Sequence, residues 1–194
     1  DRSLVDAILK MKDYIDLLIP RGGAGLIKLV QDQATMPAVT GGIGVCHTYN
    51  DRTADLDKAV AIVYNAKVRR PSICNALDTV LVNSELAPKF LPRMGKELGK
   101  AGVELHCDHR ALSLLGPGHG LNAIPATEDD WGREFLSLTA AVKVVDSLDE
   151  ALEHIENYGS GHSEAIVTED YSAALRFLDE ADALTREAQQ ALRR

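Results

Sequence analysis

Cysteine is scarce in this chain: three residues among 194, at positions 46, 74 and 107. Three widely separated thiols cannot build the disulfide framework of a small secreted domain, and a reducing, cytosolic setting is expected. No apolar run approaches the roughly 20 residues that a membrane-spanning helix needs. No basic block offsets the excess of 29 Asp and Glu over 21 Lys and Arg, and the net charge is −8. A surface of that sign repels phosphate backbones, which excludes a general nucleic-acid binder. Secretory signal, internal repeat and low-complexity tract are likewise missing. The sequence starts on Asp1 rather than Met, and it is expected to be part of a longer gene product.

What is present is ordinary globular composition, 45% apolar and 26% charged, enough for a sizeable core. Short β-rich runs alternate with runs of helical period. Tyr14–Ile19, Pro37–Val39, Val45–Tyr49, Thr79–Val82, Val103–His106, Leu121–Ile124, Ala141–Val145 and Glu164–Val167 are strand candidates. Ala24–Gln33, a segment opening at Thr53 as cap and stopped by Pro71, Ala87–Lys100, Leu148–Tyr158 and Asp170–Glu180 are helix candidates. The alternation predicts an α/β fold, three-layered α/β/α, with a mostly parallel sheet. A boundary falls near Gly41–Gly44, and 182–194 reads as an exposed helical tail.

The segment Arg69-Arg70-Pro71-Ser72-Ile73-Cys74-Asn75 puts a cysteine in a loop between a helix and a strand. Lys67, Arg69 and Arg70 precede it, and nearby positive charge favours the nucleophilic thiolate. Asn75 offers a hydrogen-bond donor. The plainer reading is a buried cysteine behind a helix whose basic end answers its dipole. His106-Cys107-Asp108-His109 is spaced too tightly for a structural zinc pattern, so no metal is expected.

Several motifs in order settle the choice on Cys74. These are Ile19-Pro20-Arg21-Gly22-Gly23, Thr40-Gly41-Gly42-Ile43-Gly44-Val45-Cys46-His47, Asn65-Ala66-Lys67 with Arg70-Pro71-Ser72 and Cys74-Asn75, Leu81-Val82-Asn83, Glu134-Phe135-Leu136-Ser137-Leu138, and Gly161-His162-Ser163-Glu164-Ala165-Ile166-Val167-Thr168. Together, over about residues 5 to 180, they resemble the γ-glutamyl phosphate reductases (glutamate-5-semialdehyde dehydrogenases) of the aldehyde dehydrogenase superfamily.

That resemblance implies a division into an end piece of a dinucleotide-binding domain over 1–45, a catalytic domain over 46–180 and an unaligned tail over 181–194. It implies Cys74 as the catalytic nucleophile and NADPH as cofactor. Glu134 is then placed on the nicotinamide ribose, and Arg21, Gly22, Gly23, Gly41 and Gly42 in the cofactor region. Asn75, Arg69, Arg70, His162 and Ser163 are the substrate-binding candidates. The reaction implied is reduction of γ-glutamyl phosphate to glutamate 5-semialdehyde in proline biosynthesis. The complete enzyme is expected to be a cytoplasmic homo-oligomer, with glutamate 5-kinase as a possible partner. Val39 stands where aldehyde-oxidising relatives carry the glutamate that activates water for thioester hydrolysis, and valine has no base to offer. Two other readings stay open: another semialdehyde or acyl dehydrogenase of the superfamily, and a non-catalytic piece used in folding or assembly.

Overall fold

The computed structural model describes residues 4–39, 43–116 and 121–181. The chain divides between Ile43 and Gly44 into two compact units. Gly41 and Gly42, expected in the cofactor region, and the tail expected over 182–194 lie outside the described residues.

The first unit holds helices α1 (Val5–Ile8) and α2 (Ala24–Gln33). The strands expected at Tyr14–Ile19 and Pro37–Val39 shrink to one parallel bridge between Leu18 and Ala38. Leu18 N–H donates to the Pro37 carbonyl and Val39 N–H to that of Leu18. Pro20 and Pro37 lack the N–H that would lengthen the ladder. Leu9, Val30 and Met36 are buried, and Thr35 donates twice to the Leu9 carbonyl, through N–H and Oγ.

The second unit contains β1 (Cys46–Asn50), α3 (Leu56–Val68), β2 (Thr79–Asn83), α4 (Ala87–Lys100), β3 (Glu104–Cys107), α5 (His109–Leu115), β4 (Asn122–Pro125), β5 (Thr139–Val145), α6 (Leu148–Tyr158), β6 (Ser163–Val167) and α7 (Tyr171–Glu180). The six strands are all parallel, in the order β4-β3-β5-β2-β1-β6. Phe90, Met94 and Leu98 of α4, Val63 of α3 and Ala111 of α5 cover one face of the sheet, against Val80, Val82, Leu105, Val142 and Val144. Ala151, Leu152 and Ile155 of α6 and Phe177 of α7 cover the other, against Tyr49, Leu81 and Val145. This is the expected three-layer α/β/α arrangement.

One local reading is corrected and one unforeseen element is added. Helix α3 is capped by Asp55, whose carboxylate accepts from Lys58 N–H at 2.9 Å. Thr53 instead donates its hydroxyl to Asp51 at 2.8 Å. Asp108 is a cap as well: it accepts from Ala111 N–H at 2.7 Å and starts a helix over His109–Leu115 that periodicity alone did not reveal. Seven residues are too few for a clear apolar stripe. At the end of α4, Gly102 takes φ +73°, a left-handed turn that costs glycine little.

The α4 face is the thermodynamic centre of the second unit. Phe90→Ala should destabilise it by about 3–5 kcal/mol, whereas Ile62→Ala, at a side chain left 42% exposed, should cost under about 1 kcal/mol. Urea titration of the two variants followed by circular dichroism measures the difference.

Candidate functional site

Because the strands are parallel, β1, β2, β5 and β6 begin along one edge of the sheet, and the candidate residues of the second unit collect there. Cys74 lies in the turn between α3 and β2 and is exposed, while Cys46 and Cys107 are buried. Gly44 leads into β1. A Cβ on it would sit 2.3 Å from the Cys74 carbonyl oxygen and 3.2 Å from Glu134 Oε1. Only a residue without a side chain lets these three segments meet. Cys46 Sγ donates to the Cys74 carbonyl at 3.3 Å. Ser163 stands opposite Cys46 in the β1–β6 register, and His162 Nδ1 lies 2.9 Å from Ser163 Oγ. Cys74, Glu134, Ser163 and His162 are thus linked through Gly44 and Cys46. Asn75, Arg69 and Arg70 are exposed on the same turn, and neither guanidinium forms an ion pair with a described residue. Arg21, Gly22 and Gly23 are exposed residues of the first unit, immediately before α2.

Beneath the turn is a buried ion pair. Lys67, read from sequence as one of the cations flanking the thiol, points inward and is fully buried. Its Nζ donates to the Leu77 carbonyl at 2.7 Å and lies 3.9 Å from Asp78 Oδ1. Asp78 is equally buried. It accepts from Cys46 N–H at 3.2 Å and from Phe135 N–H at 3.0 Å. Burial pushes the Lys67 ammonium down to about 8, against the pull of Asp78, and pushes the Asp78 carboxyl up. Burial, then the Asp78 and Glu164 carboxylates, drive the Cys46 thiol up to about 12, and burial does the same to Cys107. These two sulfurs are protonated and inert at neutral pH.

Glu134 is fixed through its neighbours. The Phe135 ring meets His106 edge-on, with centroids 5.5 Å apart, and carries the Arg133 guanidinium at 5.6 Å and Lys67 Nζ at 5.8 Å. Leu136 then takes φ +52°, a strained conformation for leucine that costs about 1–3 kcal/mol. His106 itself sits between two carboxylates, Glu104 Oε1 and Asp130 Oδ1, each at 2.9 Å. Burial would lower its pKa, but the hydrogen bonds it donates to Glu104 and Asp130 outweigh burial and raise it.

Sequence reading missed Lys67 as an inward residue, as well as Asp78, Gly44 and His106. Asp78 left a faint signal, an acid directly before the apolar strand Thr79–Val82. Gly44 left none beyond its place in a glycine-rich stretch.

Two measurements follow from this geometry. Iodoacetamide should label Cys74 in the folded chain while Cys46 and Cys107 stay unmodified until urea unfolds it, as read by mass spectrometry of the peptides. For His106 the folded pKa lies above the unfolded value, so its stabilising contribution is complete below about pH 6.5 and is lost as pH rises through the folded pKa. The gap in unfolding free energy between the parent and His106→Gln should therefore be widest near about pH 6 and should narrow toward about pH 9.

No family model matches the chain. Curated relatives do. A γ-glutamyl phosphate reductase of Dehalococcoides mccartyi is 58% identical over 183 residues, 94% of this chain and 43% of the relative. That of Persephonella marina is 51% identical over 185 residues, 94% of this chain and 42% of the relative. The crystal structure of γ-glutamyl phosphate reductase from Thermotoga maritima superposes with a TM-score of 0.87 at 47% identity, over 94% of this chain and 43% of that one. A propionaldehyde dehydrogenase of Clostridium phytofermentans shares the fold at a TM-score of 0.71 and 18% identity, over 94% and 48% of the two chains. The chain spans about 43% of the length of the curated relatives it matches. Identity above one half along nearly all of its residues, joined to the fold of a solved member, makes the chain similar to the γ-glutamyl phosphate reductases over about 43% of their length.

Proposed function

We propose that this chain supplies the cysteine part of an enzyme that reduces γ-glutamyl phosphate to glutamate 5-semialdehyde with NADPH, in proline biosynthesis. The observation that carries the proposal is the meeting of Cys74 and Glu134 at Gly44, where a Cβ would touch both. The Cys74 backbone and the Glu134 carboxylate thus border one narrow approach, and Cys74 is exposed.

Cys74 Sγ is the nucleophile. As thiolate it attacks the acyl phosphate carbonyl, the bond to phosphate oxygen breaks, and inorganic phosphate leaves with the electron pair. The product is a thioester on Cys74. Its oxygen carries developing charge, which the Cys74 backbone N–H is the nearest local group to receive. Glu134 fits a cofactor ribose: its carboxylate is half-buried beside Gly44 and can accept from two vicinal hydroxyls. NADPH, when bound, supplies hydride to the carbonyl carbon. Collapse of the resulting thiohemiacetal breaks the C–S bond and returns Cys74 as thiolate with release of the aldehyde. Val39 stands where aldehyde-oxidising relatives carry a hydrolytic base, and valine offers none. Arg69 and Arg70, both exposed on the Cys74 turn, suit the anionic groups of the substrate, with Asn75, His162 and Ser163 as further contacts. The complete enzyme is taken to be a cytoplasmic homo-oligomer supplied by a glutamate 5-kinase.

The test uses the full-length protein. Cys74→Ser should lower reductase turnover by more than about 1000-fold, because serine there has no base to activate it, and should leave NADPH affinity within about twofold. Glu134→Gln should raise the KM for NADPH by about tenfold, the loss of one charge-assisted hydrogen bond. Turnover of Cys74→Ser within tenfold of the parent would exclude Cys74 as nucleophile.

A further inference from the structure

On the α6 face of the sheet, one residue inward from Cys46 and Ser163, four buried polar atoms on neighbouring side chains have no hydrogen-bond partner among the described residues: His47 Nε2, Thr79 Oγ1, His154 Nε2 and Glu164 Oε1. Their side chains are neighbours by construction. His47 stands opposite Glu164 on β6 and opposite Thr79 on β2, so the three form one row across the sheet on a single face. The His154 ring of α6 closes over it, edge-on to His47 with centroids 5.5 Å apart. Trp131 and Tyr158 wall the far side of His154, at 5.6 Å and 4.7 Å.

The neighbouring bonds fix what each atom offers. Lys143 Nζ lies 3.3 Å from His154 Nδ1. An ammonium only donates, so Nδ1 accepts and the ring proton sits on Nε2. Burial, with the Lys143 ammonium beside it, lowers the His154 pKa to about 3, which keeps the ring neutral. His47 Nδ1 faces Glu164 Oε2 at 3.0 Å, and the same oxygen accepts His47 N–H at 3.1 Å. Nδ1 therefore donates, and in the neutral ring Nε2 presents a lone pair. The set becomes one fixed donor (His154), two acceptors (His47 and Glu164), and a hydroxyl that can do either (Thr79).

We propose that His47, Thr79, His154 and Glu164 enclose a binding site for internal water, roughly one or two molecules. Water matches the set: its lone pairs receive the His154 N–H and the Thr79 O–H, and its protons go to His47 Nε2 and Glu164 Oε1. Four stranded polar groups would otherwise cancel a sizeable part of the marginal stability of a domain. No group of three or more His, Cys, Asp or Glu side chains among the described residues is placed to hold a metal ion, and a metal would have to displace the proton on His154 Nε2. The water completes a directed line from Lys143 through His154 and His47 to Glu164. That line ties α6 and β5 to the edge strand that begins at Ser163.

The test uses the whole chain in oxygen-17 water. Long-range nitrogen–proton correlation spectra of the parent should show His154 as the Nε2–H tautomer and His47 as the Nδ1–H tautomer, with cross-relaxation from the His154 Nε2 proton to water. Oxygen-17 relaxation dispersion should lose amplitude equivalent to roughly one or two long-lived waters in His154→Phe, which fills the roof without a donor. A parent with His154 protonated on Nδ1, or without water contact at Nε2, would overturn the site, whether or not the variant folds. So would a folded variant with undiminished dispersion.

Discussion

The buried contact between Lys67 and Asp78 is the interaction on which the rest of the site depends. One ammonium and one carboxylate, both removed from water, hold four pieces of chain. Lys67 grips the Leu77 carbonyl at the end of the cysteine turn. Asp78 grips the first N–H of β1 and the N–H next to Glu134. The desolvation cost is visible in both groups, each displaced toward its neutral form. Such a pair adds little net stability compared with an apolar replacement. Removing one partner is different: it strands the other charge and typically costs about 3–5 kcal/mol. Here the pair specifies position, because it is the only polar anchor among the described residues shared by the segments that carry Cys74 and Glu134.

Above that anchor, the site is shaped by close approach rather than by many contacts. Gly44 allows a carbonyl to come where any side chain would collide. Leu136 holds a conformation that leucine avoids, one residue beyond Phe135. The strain there is offset by the clamp on the Phe135 ring, which is held by His106, Arg133 and Lys67. Rigid support below and strain at the rim are what pre-organisation of a reacting group requires.

The location is also a consequence of topology. Open parallel sheets most often place ligands beyond the carboxyl ends of their strands. Here helix α3 returns the chain to the start of β2, and the loop bearing Cys74 is the last stretch of that return. Cys74 therefore lies at the amino edge, beside the starts of β1 and β6. The carboxyl edge is closed by internal bonding instead, as where Asp51 accepts from Thr53 and Thr168 and Arg110 meets Asp146.

The layered parallel fold was legible in the sequence because burial on both faces writes apolar runs such as Thr79–Val82 and Ala141–Val145, and because caps and glycines punctuate the helices between them. Family likeness was legible in the motifs. The short elements were not: a seven-residue helix carries too little period, and two prolines reduced two expected strands to a single bridge. Nor was the inward turn of Lys67. A lysine in the last turn of a helix reads as a dipole partner, and only the packing of β1, β2 and the Phe135 segment around it turns it into a buried charge facing Asp78. The same is true of Gly44, and of His47, Thr79, His154 and Glu164. Their meeting joins positions far apart along the chain, and a distance of that kind is set by strand order and register, which no local pattern of residues encodes.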